Sequence, residues 1–162
     1  MRYFAVALGM LFAVPSFAAV SGENLQAEHH EAKPFKKSSK ASEDVDAALA
    51  RAAAINKRVL LVMGANWCHD SRGLAGWFAQ PRFAAMLSSK YETVYVDVGH
   101  RDRNIDIARR FGIEAITGTP TVLIVDPQGA LLNPASAPSW RNAASRDEED
   151  IFVYFDQFTP EL

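Results

Sequence analysis

The chain has 162 residues, 49% of them hydrophobic, which suits one domain with a packed core. A net charge of −2 and a pI near 6.1 exclude the basic footprint of a nucleic-acid binder. A single cysteine, Cys68, excludes a fold held by internal disulfides.

The N-terminus reads as a targeting segment. Arg2 supplies a positive start, Tyr3 to Val14 an apolar run, and Ser16-Phe17-Ala18 a small-residue cleavage pattern. A signal peptide over residues 1–18 is expected, with export of the remainder. The apolar run falls short of the roughly 20 residues needed to span a bilayer, so no stable membrane anchor is expected after cleavage. Residues 19–41 are polar and mixed, and read as a flexible linker, with Pro34 to Lys37 as a candidate edge strand. His29 and His30 are adjacent in this stretch, a pattern that seldom holds a metal.

The folded domain is expected over 42–162. Ser42 suits a helix N-cap, followed by Glu43 and Asp44 where the helix dipole favours acids. Val45, Ala48, Leu49 and Ala52 then share one helical face. The apolar run Val59 to Met63 predicts a buried strand, broken by Gly64-Ala65-Asn66. Trp67-Cys68 follow, and a helix runs to about Ala79 with Leu74, Trp77 and Phe78 inward and Gly76 as a candidate kink. Pro81 starts a second helix with Phe83, Ala84 and Met86 inward.

Tyr91 to Val98 predicts a strand, Gly99 to Arg103 a charged loop, and Asn104 to Phe111 a short helix stopped by Gly112. Thr121 to Asp126 predicts a strand, with Pro120 at its entrance, where no ladder donor is needed. Pro127-Gln128-Gly129 turns the chain, and Ala130 to Leu132 returns as a hairpin partner. Ser145 and Glu148 fit a capping box, and Ile151, Phe155 and Phe158 line a final helix. The fold class is α/β: a mixed sheet of about four strands flanked by helices, with parallel crossovers, a terminal β-hairpin and a C-terminal helix.

The chemistry concentrates at Cys68. A strand that delivers a cysteine to the first turn of a helix exposes it to free N–H groups and a positive dipole end, which favour the thiolate. His69 and Arg72 add to that effect, and Asp70 opposes it. Ser71 lies one turn on, a neighbour of Cys68, with a hydroxyl able to bond the sulfur. The alternative is that Cys68 is a small buried hydrophobe. Zinc would need further ligands beyond Cys68 and His69, and His29, His30 and His100 lack ligand spacing. Neither a metal nor a cofactor is expected.

Trp-Cys-x-x opening a helix, with Gly-x-Pro-Thr opening a later strand, resembles the thioredoxin superfamily over roughly residues 42–160. The resemblance implies a cis peptide at Thr119-Pro120 facing Cys68, and an exposed Thr119 backbone that pairs with an extended partner segment. It is closest to exported bacterial thioredoxin-like proteins, implying the periplasm. The chain departs from the family at four places. Cys-x-x-Cys is replaced by Cys68-His69-Asp70-Ser71. Thioredoxin's buried acid aligns with Val62, its lysine with Tyr95, and its helix-kinking proline with Gly76.

The expected function is monothiol thiol–disulfide exchange with exported proteins or small thiols. Cys68 is the nucleophile, Ser71 and His69 modulate it, and Trp67, Thr119 and Pro120 bind substrate. Ser71 cannot act as a resolving thiol, so an outside thiol must release any adduct. The alternative is a thioredoxin-fold binding module that uses the prolyl groove without covalent chemistry.

Overall fold

The computed structural model describes residues 31–158. The expected signal peptide, His29 and His30 lie outside them. The elements run α1 (Ala41–Ala54), β1 (Arg58–Gly64), α2 (His69–Phe78), α3 (Pro81–Lys90), β2 (Tyr91–Asp97), α4 (Ile105–Arg110), β3 (Thr121–Val125) and α5 (Glu148–Asp156). Two short 3-10 turns, Ala137–Trp140 and Ala143–Ser145, precede α5.

β1 is the centre of a three-stranded sheet of order β2-β1-β3. Its side chains alternate between two cores, so every residue from Val59 to Gly64 is buried. Leu60 and Val62 join Leu74, Phe78, Phe83 and Phe155 on the face covered by α2, α3 and α5. Val59, Leu61 and Met63 join Val45, Ala48, Ala52 and Ile107 on the face covered by α1 and α4.

β1 and β2 are parallel, joined by the α2–α3 crossover, as the element order predicts. β3 departs from the expected parallel pairing and runs antiparallel to β1, with Met63 opposite Thr121. The connection explains this. α4 has six residues, which rise about 9 Å against about 23 Å for a seven-residue strand. The chain is therefore not carried back along the sheet, and β3 enters at the end where β2 and β1 finish.

The expected fourth strand shrinks to one bridge, Val125 to Leu131. Leu132 N–H still donates to the Ile124 carbonyl, but the ladder is then completed by a side chain. Asn133 Oδ1 accepts the Ile124 N–H at 2.8 Å, and Asn133 Nδ2 donates to the Val122 carbonyl at 2.9 Å. A primary amide has the donor and acceptor of a peptide group, so Asn133 stands in for a strand residue, and Pro134 follows where a ladder donor would be needed next.

Other boundaries shift for local reasons. The α1 N-cap is Lys40 rather than Ser42, and the α5 N-cap is Asp147, so the Ser145 capping box does not form. Gly76 lies inside an unbroken α2, and the break comes at Ala79-Gln80, as the residue before Pro81 is pushed from helical geometry. Ala84 is exposed, and Leu87 takes the inward place beside Phe83 and Met86.

The described part of the expected linker, residues 31–40, is fastened to the domain. Phe35 is buried in the core beside Leu60 and Val62 and meets Tyr95 edge-on at 5.5 Å. Burial of such a ring is worth about 1.5–3 kcal/mol. The candidate edge strand at Pro34 to Lys37 does not form. Phe35 is instead held at both backbone polar groups by the side chain of Asn66.

Candidate functional site

The site is assembled where β1, α2 and β3 meet. Cys68 is the N-cap of α2, in extended backbone with φ −81° and ψ 123°, so the following N–H groups of the first turn lie beside it. The Thr119-Pro120 peptide is cis. Cys68 Sγ donates to the Thr119 carbonyl at 3.2 Å, so the cysteine and the prolyl loop face each other as the motif pair implied. Cys68 is only 8% exposed. The sulfur thus sits against the loop rather than standing free of it.

Thr119 is also buried, and Pro120 with it. The expectation of an open Thr119 backbone is corrected in one respect: its carbonyl already accepts the Cys68 S–H.

Trp67 forms the exposed wall of the site. It is 52% exposed, and its ring stacks on His100 with centroids 5.0 Å apart. Its indole N–H donates to the Gly99 carbonyl at 2.9 Å. The loop that presents His100 turns tightly at Gly99, at φ +58°, where an added Cβ would fall 2.2 Å from Asp102 Oδ1. Buried Asp97 anchors this loop, accepting from Arg103 at 2.9 Å and from the Gly99 N–H.

Ser71 is fully buried, and its hydroxyl is bonded to the backbone after β1 and not to the sulfur. Ser71 Oγ accepts the Ala65 N–H at 3.4 Å and sits where a Cβ on Gly64 would come within 2.7 Å. No Ser71–Cys68 hydrogen bond forms among the described residues. The helical spacing does place the two residues on adjacent turns, but the Ser71 hydroxyl is engaged by the Ala65 N–H.

His69 points outward, with 64% of its side chain exposed, and its Nε2 lies 3.5 Å from Glu31 Oε1. Asp70 is committed elsewhere: its carboxylate accepts the Ala144 N–H at 3.0 Å and ties α2 to the turn before α5. Val62 and Tyr95 stand at the two family departures. Val62 is core, and burial pushes the Tyr95 hydroxyl up to about 12.

Arg72, read from the sequence only as a nearby positive charge, organises the site together with Glu31 and Asn66, whose roles the sequence does not show. Arg72 donates to the Asn66 and Trp67 carbonyls at 3.1 and 2.9 Å, bracing the turn before Cys68. Its other nitrogens make a bidentate pair with Glu31 at 2.8 and 3.1 Å. That hydrogen-bonded pairing holds the Glu31 carboxyl below its ordinary range. Asn66 clamps Phe35 at 3.1 and 2.8 Å. Among the described residues no cluster of three or more His, Cys, Asp or Glu side chains has the geometry to hold a metal ion.

A sole cysteine capping a helix after the central strand, packed against a cis-prolyl loop that opens the next strand, defines a thioredoxin-type site. The chain belongs to the thioredoxin-like family, whose model matches residues 40–127. It is similar to the crystal structure of a disulphide isomerase from Xylella fastidiosa Temecula1, at 29% identity and a TM-score of 0.72, over 78% of this chain and 96% of that one. A protein of unknown function from Pseudomonas aeruginosa is also similar, at 15% identity and a TM-score of 0.39, over 75% of this chain and 87% of that one. No curated protein matches the chain.

Proposed function

We propose that the protein carries out monothiol thiol–disulfide exchange on exported proteins or small thiols, with Cys68 as nucleophile. The observation that carries the reading is the 3.2 Å approach of the chain's one thiol to the Thr119 carbonyl at the positive end of α2. The likeness to a bacterial disulphide isomerase supports it and agrees with a periplasmic setting. Among the described residues no helix is long and apolar enough to cross a membrane.

In the reaction, the Cys68 S–H gives up its proton and the thiolate attacks one sulfur of a partner's disulfide. The Cys68–partner S–S bond forms as the partner's own S–S bond breaks, and the departing sulfur leaves as a thiolate that takes up a proton. One disulfide replaces another, so no electrons leave the pair. Another thiolate of the partner attacks the partner-side sulfur of the mixed disulfide, forming a differently paired disulfide and releasing Cys68 as its thiolate, or an outside thiol does so to free Cys68. Trp67 and Pro120 flank the approaching segment. The α2 terminus contributes positive potential, and His69 stands exposed at its start. Ser71 fills the place of a second sulfur.

Incubation with a cystine peptide, followed by acid quench and intact-mass measurement, tests this. A mixed disulfide on the native chain, lost in Cys68→Ala, is the expected result. Absence of any adduct on the native chain overturns exchange.

One observation favours a second reading. Cys68 is nearly enclosed and its S–H is already bonded, which suits a groove that binds extended segments without reacting. On that reading Cys68→Ala retains the same partners with the same affinity.

A further inference from the structure

Beside the prolyl loop lies a second concavity of about 520 Å³, lined by Thr117, Pro138, Ser139, Arg141, Asn142 and Arg146. No acidic side chain lines it. Among the described residues the arginines differ in the partners they take. Arg51, Arg72, Arg82, Arg103 and Arg110 each pair with a carboxylate. Arg101, Arg141 and Arg146 pair with none, as does Arg109, which donates to the Glu114 carbonyl away from this face. Arg101 and Arg141 lie at residues 117–118, and Arg146 lines the concavity with Thr117. Arg101 donates to the Thr117 carbonyl at 3.2 Å. The Arg141 side chain lies against Gly118, 3.0 Å from where a Cβ would stand.

Arg146 is held in place by neutral groups. Its Nε donates to Asn142 Oδ1 at 3.0 Å, its Nη2 to the Ser139 carbonyl at 2.8 Å, and its guanidinium lies 4.2 Å over the Trp140 ring. A guanidinium has five donors in a fixed fork, and Nη1 of Arg146 has no hydrogen bond among the described residues. Orienting a cation with carbonyls and a ring, and leaving part of its fork unspent, prepares it for a carboxylate. A guanidinium spent on an internal salt bridge lacks that capacity.

We propose that Arg141 and Arg146, assisted by Arg101, form a carboxylate subsite that binds an acidic segment of a partner polypeptide alongside the prolyl loop. The inference deepens the exchange reading and rests on it for its purpose: the bound segment is the one flanking the reacting disulfide. Gly118 and Thr119 adjoin the subsite in the chain, and the Thr119 carbonyl touches Cys68. An acidic flank held there keeps its cystine beside the sulfur.

The test separates binding from exchange. A short fluorescent glutamate-rich peptide without cysteine, and its glutamine counterpart, are titrated with the full chain and followed by anisotropy. The glutamate peptide binds at least about fivefold more tightly, and the advantage falls as salt rises. Arg141→Gln and Arg146→Gln each lose about threefold of that advantage. Arg51→Gln, which removes the same charge from α1, loses none. Arg141 is exposed, so its variant serves if Arg146→Gln, stripped of its Trp140 contact, melts early. Equal binding of the two peptides, or an equal loss in Arg51→Gln, overturns the subsite. Neither peptide has a disulfide, so these results stand whether or not Cys68 forms adducts.

Discussion

Cys68 Sγ and the Thr119 carbonyl oxygen lie 3.2 Å apart across a sequence separation of 51 residues. The contact joins the N-cap of α2 to the residue before the cis-proline, and it places the thiol at the mouth of β3. Reaction at Cys68 therefore requires the S–H to leave this carbonyl. A partner segment entering along the prolyl loop does so beside the sulfur it will meet.

Replacing Ser71 with cysteine supplies the sulfur that the motif lacks. Ser71 is buried one turn from Cys68. We expect Ser71→Cys to resolve its own adducts, so that the mixed disulfide trapped after acid quench falls by about tenfold or more. Equal trapping in the variant and the native chain would show that the residue-71 side chain stays turned toward Ala65.

Asn66→Ala strips both bonds from Phe35, leaving its backbone N–H and carbonyl to seek water from a partly buried position. The expected cost is about 1–3 kcal/mol. Urea unfolding measures it, and limited proteolysis of residues 31–36 reports the release directly. No change in either would mean that the Phe35 ring alone holds the segment.

Gly64→Ala tests the close packing under the site. The new methyl would lie 2.7 Å from both the Phe35 ring and Ser71 Oγ. Overpacking of this kind costs about 1–3 kcal/mol, read as a lowered midpoint in thermal melts. Gly64→Ala combined with Phe35→Leu should recover part of the loss, because the smaller side chain vacates one of the two clashes.

The Glu31–Arg72 pair gives the segment a pH dependence. Glu31 has its folded pKa lowered by the Arg72 hydrogen bond, from an ordinary value of 4.5. Its contribution is complete above that value and is lost as pH falls through the lower folded value. Hydrogen exchange at the Ala32 N–H, which donates to the Arg72 carbonyl at 3.1 Å, should accelerate relative to the core across that window. Glu31→Gln should remove the acid-dependent part. An identical profile in the variant would assign the acid response to another group.

The order and type of the main helices and of the three sheet strands were written in the chain, because they follow from local patterns, whereas the strands expected at Pro34 to Lys37 and Ala130 to Leu132 did not form as ladders. The apolar run at Val59 to Met63 can only be a strand covered on both faces, and Val45, Ala48 and Ala52 can share only a helical face. The pairing of Trp67-Cys68 with Thr119-Pro120 marked the site for the same reason: each half is a short motif.

Tertiary structure alone decided the direction of β3, the rotamer of Ser71 and the fastening of Phe35. It also decided the placing of Arg141 and Arg146 beside Thr117 in one concavity. These depend on polar partners distant in the chain, such as Asn66 with Phe35 across 31 residues and Asp70 with Ala144 across 74. Hydrophobic burial repeats with the period of its element and so leaves a trace in sequence. A single amide or guanidinium satisfied across the fold has no period, and only the folded chain discloses its partner.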